Sequence, residues 1–299
     1  MSSGNASRWG AALRSALGIF SPRRRRWRHF LRSLPLDPAA LPRPLPPPGP
    51  RDVILCGCPR SGTTLLAAQL FQPPHFLTVT EPWDGMRLPP ASLFASLRGE
   101  VETTGRLERG KLDAAALLRH GEVAWTREGT ATPPLAMAPG WWLGVKWPVY
   151  WRYLELLPDT RFVVAVREPQ AVIASFRAQG GRLARGLEYD TRFNRVLNDS
   201  LRAATKSDAE RRALLYERST GAVLPHLGRA GVLLVRYERW FGDAVGLRRE
   251  LSAFFDRELA PWPARLQPPA PAPPLDAADH AAIRDCCPSA AALGYPLPT

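Results

Sequence analysis

The run Gly57-Cys58-Pro59-Arg60-Ser61-Gly62-Thr63-Thr64 carries the residue types that grip a phosphate. Glycines let a backbone turn tightly, and amide groups freed at the start of a helix point at an anion. The spacing from Gly57 to Gly62, followed by Thr63 and Thr64, nearly matches a nucleoside-triphosphate loop. That motif has lysine directly after its second glycine, where this chain has Thr63. The basic residue is Arg60, inside the loop. A nucleotide hydrolase also needs an acidic strand end to hold magnesium, and none is visible. A second anion site is read at Val166-Arg167-Glu168-Pro169, with Ser175 further on. It places an arginine at a strand end and a serine two turns into the next helix. Side chains on a helix lean toward its N-terminus, so Ser175 can point back toward Arg167. A charge and a hydroxyl converging there suit a second phosphate.

Two more residue types suggest chemistry near this loop. The chain has only three lysines, Lys111, Lys146 and Lys206, among 40 basic residues. A compact ammonium kept at the end of a predicted strand points to a place that excludes the guanidinium fork. A surface lysine is the plain alternative. Glu81 follows Thr78-Val79-Thr80, the expected strand after the loop helix, and is the candidate proton acceptor. Asp84 and His75 are its rivals. Trp141, Trp142, Trp147 and Trp151 cluster in sequence around Lys146. They either stack on a sugar ring or line an apolar pocket, or they are core packing.

These residues need elements to hold them. Residues 52–56, 142–146, 160–166 and 232–237 are short apolar runs that read as strands. Helices are expected over 63–71, from Pro169, over 208–220 and over 243–255, and from Pro148 through 157. Pro169 suits the first turn of its helix, where a missing N–H costs nothing. Alternating strands and helices give an α/β fold with a parallel sheet covered on both faces. Residues 82–140 show only weak helical patches between prolines and glycines. Residues 180–228 read as mostly helical, and 261–274 as proline-rich. There is no internal repeat.

A length of 299 residues fits one sizeable domain. The net charge of +13 is uneven: residues 1–50 hold nine arginines against one acid, so the remainder carries only +5. That excludes a uniformly basic nucleic-acid-binding domain, and no nucleic-acid partner is expected. Residues 1–50 read as a basic, proline-rich arm, expected to be disordered. Its Arg23, Arg24, Arg25 and Arg26 suit weak contact with an anionic surface, or form a solvated tail. No stretch reaches the roughly 18–20 apolar residues of a membrane span. Residues 9–20 are too short and wrongly flanked for a signal peptide, so the expected location is the cytoplasm. Cys56, Cys58, Cys286 and Cys287 match neither a disulfide framework nor zinc-ligand spacing.

Pro59 through Leu65 resembles the 5′-phosphosulfate loop of the sulfotransferases that use 3′-phosphoadenosine-5′-phosphosulfate (PAPS). The pair Arg167 and Ser175, eight residues apart, resembles that family's 3′-phosphate site. Val235-Arg236-Tyr237-Glu238 is similar to its Tyr-Glu segment, and Leu293-Gly294-Tyr295 to its C-terminal ending. Lys146-Trp147-Pro148 resembles the Lys-x-Pro of carbohydrate-type and tyrosyl-type members, including soluble bacterial-like ones. Cytosolic small-molecule members have Lys-x-His, and Pro148 stands in that histidine's place. The resemblance spans residues 51–299, is weak over 84–140 and absent before 51. It implies a P-loop-like three-layer sandwich with a central, mostly parallel sheet flanked by helices. It also implies transfer of a sulfuryl group from PAPS, without metal, to a hydroxyl of a carbohydrate, glycolipid or other metabolite. The desulfated nucleotide PAP is then released. By resemblance, Arg60, Ser61, Gly62, Thr63, Thr64 and Leu65 hold the 5′ end, and Arg167, Ser175 and Tyr237 the rest of the nucleotide. Arg60 and Lys146 would stabilise developing charge and Glu81 would take the proton. A P-loop kinase or NTPase, and a nucleotide-binding protein without chemistry, are the competing readings. Neither the acceptor nor the oligomeric state is legible.

Overall fold

The computed structural model describes residues 41, 43, 45–126, 132–266 and 273–299. The expected disorder of the arm falls on residues outside these, apart from a few positions before Arg51.

Each apolar run forms a strand: β1 Asp52–Gly57, β2 Phe76–Thr80, β3 Trp142–Lys146, β4 Arg161–Val166 and β5 Val232–Arg236. They make one sheet in the order β2-β3-β1-β4-β5, with every pairing parallel. β1, β2 and β3 are buried at every position, which is why these strands read as unbroken apolar runs rather than alternating ones. Along β1 the side chains divide between two cores. Val53 and Leu55 pack with Leu66, Leu247, Leu251 and Phe255, while Ile54 and Cys56 join a larger core with Val172, Phe176 and Tyr216. The result is a three-layer α/β sandwich with a parallel centre, as the residue pattern implied.

The helices are α1 Thr63–Gln69, α2 Pro90–Thr104, α3 Ala114–His120, α4 Pro169–Gln179, α5 Gly181–Ala184, α6 Arg192–Ala204, α7 Asp208–Gly221, α8 Arg239–Gly242, α9 Ala244–Phe254, α10 Ala277–Cys286 and α11 Pro288–Ala292. Among the described residues no helix is long and apolar enough to cross a membrane.

Two expectations need correction. α2, 15 residues long, lies inside the stretch read as weakly patterned. Pro90 opens it and Gly105, at φ 63°, closes it, while Leu93, Phe94, Leu97 and Val101 are buried. The helix expected from Pro148 through 157 is instead a 3₁₀ turn, Pro148–Tyr153. Three residues per turn stack Tyr150 and Tyr153 on one face, with ring centroids 5.1 Å apart, and both rings approach Phe193.

In an all-parallel sheet every strand's C-terminal end lies on the same edge, the usual place for a site. Here that edge carries Gly57, Thr80, Lys146, Val166 and Arg236.

Candidate active site

The exit from β1 is shaped by two glycines. Gly57 has φ 142°, and a Cβ there would sit 2.1 Å from the Ala165 carbonyl oxygen of β4. Gly62, at φ 90°, would place a Cβ 2.3 Å from the Tyr237 ring, so the loop passes face-on beneath that ring. Ser61 is spent inside the loop. Its amide donates to Cys58 O at 3.1 Å, and its hydroxyl lies 2.5 Å from Cys58 O and 2.9 Å from Ala165 O. Ser61, expected at the 5′ end of the nucleotide, thus braces the turn with both its amide and its hydroxyl. The amides of Thr63, Thr64 and Leu65 precede the first helical bond, Leu66 N to Gly62 O, and find no acceptor among the described residues.

Arg60, in the left-handed region at φ 69°, projects from the loop and donates from Nε to Ser175 Oγ at 2.9 Å. Arg167, just past β4, donates from Nη1 to Arg60 O at 3.3 Å and lies 4.3 Å from the centroid of the Tyr237 ring. The Tyr216 hydroxyl donates to Arg167 O at 3.0 Å and steadies this turn. Arg60, Arg167, Ser175 and Tyr237 therefore converge, although they leave three different strands. Ser175 does not itself line the cleft; it reaches the site through Arg60.

The exits of β2 and β3 build the other end. Glu81 N donates to Lys146 O at 2.8 Å. Glu81 Oε1 accepts from Lys146 Nζ at 2.6 Å and Oε2 from Lys111 Nζ at 3.2 Å. Lys146 is only 2 % exposed and also reaches Thr64 Oγ1 at 3.1 Å. Burial opposes ionisation of Glu81, but the two ammoniums outweigh it and hold the carboxyl below its ordinary range. Burial pushes Lys146 down, with Glu81 opposing. The rivals of Glu81 lie elsewhere. His75 is exposed at the start of β2, on the opposite edge of the sheet. Asp84 pairs with Arg87 at 3.2 Å and Arg109 at 3.4 Å and does not line the cleft.

One cleft of about 450 Å³ joins the two ends, lined by Arg60, Thr64, Glu81, Lys146, Arg167 and Tyr237 among others. Of the four tryptophans only Trp147 reaches it. Trp141 packs under Arg98, Trp142 packs between Phe76 and Phe255 in the smaller core, and Trp151 is in the larger one. The cleft also holds residues that the sequence reading missed: Lys111, Trp125, Glu188, Tyr189 and Asn194. Lys111 could have been found, since lysine is as rare there as at Lys146. Glu188 lies between α5 and α6 and Asn194 inside α6, in a stretch read as mostly helical, and neither position gave a chemical signal.

The sequence profile of the sulfotransferase family matches residues 51–261, well over half of the chain. The chain belongs to the sulfotransferase family. No curated protein matches it. Among solved structures, the sulfotransferase domain from the curacin biosynthetic pathway is 16 % identical, covering 84 % of this chain and 99 % of its own, with a TM-score of 0.44. A sulfotransferase from Alicyclobacillus acidocaldarius is 15 % identical over 83 % of this chain and 97 % of its own, with a TM-score of 0.44. One from Mycobacterium avium is 17 % identical over 79 % and 67 %, with a TM-score of 0.36. In this sulfotransferase the segments that resembled the family's Tyr-Glu and Leu-Gly-Tyr stretches meet. The Tyr295 hydroxyl donates to Glu238 Oε2 at 3.0 Å, and Arg236 lies 5.0 Å from the Tyr295 ring centroid.

Proposed function

We propose that this sulfotransferase moves a sulfuryl group from PAPS to the hydroxyl of a carbohydrate, glycolipid or similar metabolite and releases PAP. The observation that supports this reading is the continuity of the cleft. Arg60, Arg167 and Ser175 are linked by hydrogen bonds at one end. Lys146, Glu81 and Thr64 are linked at the other. Arg60 and Arg167 at one end, with Lys146 and Lys111 at the other, spread cations along one cavity, which suits a ligand with two separate phosphates. Arg167 would hold the 3′-phosphate, with the Tyr237 ring beside it and Ser175 acting through Arg60. Arg60 and the amides of Thr63 to Leu65 would hold the phosphosulfate.

Transfer of this kind needs an in-line hydroxyl, a base for its proton, and cations on the oxygens that gain charge. Lys146 and Arg60 supply the cations, and Glu81 takes the proton from the attacking hydroxyl. A kinase or NTPase reading is weaker, because Thr63 stands where such a loop has lysine. With PAPS as the donor, this reading assigns the activity to the cytoplasm.

Calorimetry with PAP, ADP and ATP, with and without magnesium, tests the assignment. PAP binding without metal, together with sulfate transfer from PAPS, is the expected result. Selective magnesium-dependent ATP binding would make the protein a kinase or NTPase. PAP binding without any turnover would make it a nucleotide-binding protein.

A further inference from the structure

We propose that Glu188 and Asn194 form the acceptor-recognition end of the cleft and select an alcohol carrying a second hydrogen-bond donor beside the reacting hydroxyl, a diol or an amino alcohol, over a lone alcohol. This rests on the transferase reading above. Both residues line the same cleft as Lys146 and Glu81. Glu188 is only 3 % exposed and Asn194 fully buried. Among the described residues neither Glu188 Oε1 nor Asn194 Oδ1 has a hydrogen-bond partner. The Asn194 amide donates from Nδ2 to Tyr189 O at 3.2 Å, which fixes its oxygen as the unpaired end.

The backbone around Glu188 is clamped. Its amide donates to Asn198 Oδ1 at 2.9 Å, and its carbonyl accepts from Arg182 Nε at 2.8 Å and from Asn198 Nδ2 at 3.2 Å. The backbone that carries the carboxyl is therefore held in place, and Lys146 and Arg152 act on the carboxyl only through space, with no ion pair to it among the described residues. Glu81, by contrast, has both oxygens taken by lysines.

Buried acceptors left unpaired are rare and costly, and a site that pairs them with substrate donors rejects substrates lacking those donors. Trp125 and Tyr189, each 53 % exposed and lining the cleft, offer ring faces on which the acceptor's carbon frame can lie. Burial first, and then the charge of Glu81, push the Glu188 carboxyl up to about 7. The carboxyl can therefore meet a neutral or a charged donor near neutral pH.

The test compares cyclohexanol, cyclohexane-1,2-diol and 2-aminocyclohexanol as acceptors for wild type, Glu188→Leu and Glu188→Gln. Transfer from PAPS and binding to the PAP-loaded protein are both measured. Wild type should favour at least one of the two-donor compounds over cyclohexanol by about 10-fold or more in kcat/KM or in affinity. Glu188→Leu should erase that preference, through lower kcat/KM for the two-donor compounds relative to cyclohexanol, while still binding PAP. Glu188→Gln keeps an acceptor oxygen but no charge, so it retains a diol preference and loses one for the amino alcohol. Equal use of all three by wild type, failure of all three to bind a PAP-loaded wild type, or an undiminished preference in Glu188→Leu would overturn the inference. Absence of PAP binding by wild type would instead defeat the donor assignment. Melting curves and PAP affinity of each variant separate misfolding from loss of recognition.

Discussion

Lys146 lies almost out of reach of solvent, yet its ammonium touches Glu81 and Thr64 and lies 5.6 Å from the Trp125 ring centroid. Replacing it with methionine keeps the stem and removes the charge. Lys146→Met should lower kcat by on the order of 100- to 1000-fold, as loss of one charge stabiliser typically does. Steady-state kinetics beside PAP calorimetry will show whether binding survives. Glu81→Gln should lose most turnover and still bind PAP; wild-type turnover in that variant would remove Glu81 from the proton step. Glu188 makes the opposite bargain with stability. Burial, and after it the charge of Glu81, outweigh the nearby Lys146 and Arg152, so the carboxyl holds its proton to about 7, against 4.5 for the free group. Between those values the folded protein binds more protons than the unfolded one, so stability falls as pH rises from about 4.5 to 7. The loss is on the order of 3 kcal/mol. Glu188→Gln should accordingly melt higher than wild type at pH 8, with the gap closing by pH 4. Glu81 and Lys146 could be picked out because each stands at a strand exit. Glu188 could not, because a buried unpaired acid looks like any surface acid until its neighbours are known.

Five strand exits position the site, and most of them were legible. Apolar runs ending in Gly57, Lys146 and Val166 mark strands buried by helices on both sides, and the run ending in Arg236 a half-buried border strand. α2 was hidden because Pro89, Pro90 and Gly99 suppress local propensity, while burial of one face decides the outcome. The order of the strands was not legible at all, since pairing is a long-range property. Loop and strand are fitted closely where Gly62 passes under Tyr237. Gly62→Ala puts a side chain at φ 90° and into the ring, which should cost on the order of 1–3 kcal/mol and weaken PAP binding. Adding Tyr237→Ala relieves the clash but not the backbone. A double-mutant cycle on PAP affinity should therefore recover part of the loss, and strict additivity would mean that the ring does not press on the loop.

The sheet needs its outer layers held against it, and one buried acid does much of this. Asp279 of α10 is fully buried and accepts from Arg212 of α7 at 2.6 Å and from Arg177 of α4 at 2.7 Å. Asp279→Ala strands the buried Arg212 guanidinium and leaves Arg177 only Asp276, and should lower stability by about 3–5 kcal/mol. Because α4 carries Ser175, PAP affinity should fall with it; chemical denaturation and calorimetry read the two effects. Neither arginine could be matched to Asp279 in the sequence, since the partners lie 67 and 102 positions away. The strand order has a geometric corollary. Glu81 departs from one border strand and Tyr237 from the other, with three strands between them. At about 4.8 Å per step, that separates their origins by roughly 19 Å. No molecule the size of a single sugar can span that breadth, so in the proposed reaction the two substrates would lie end to end along the rim. The handover then falls at the midline, where Thr64 after the central strand meets Lys146 from its neighbour.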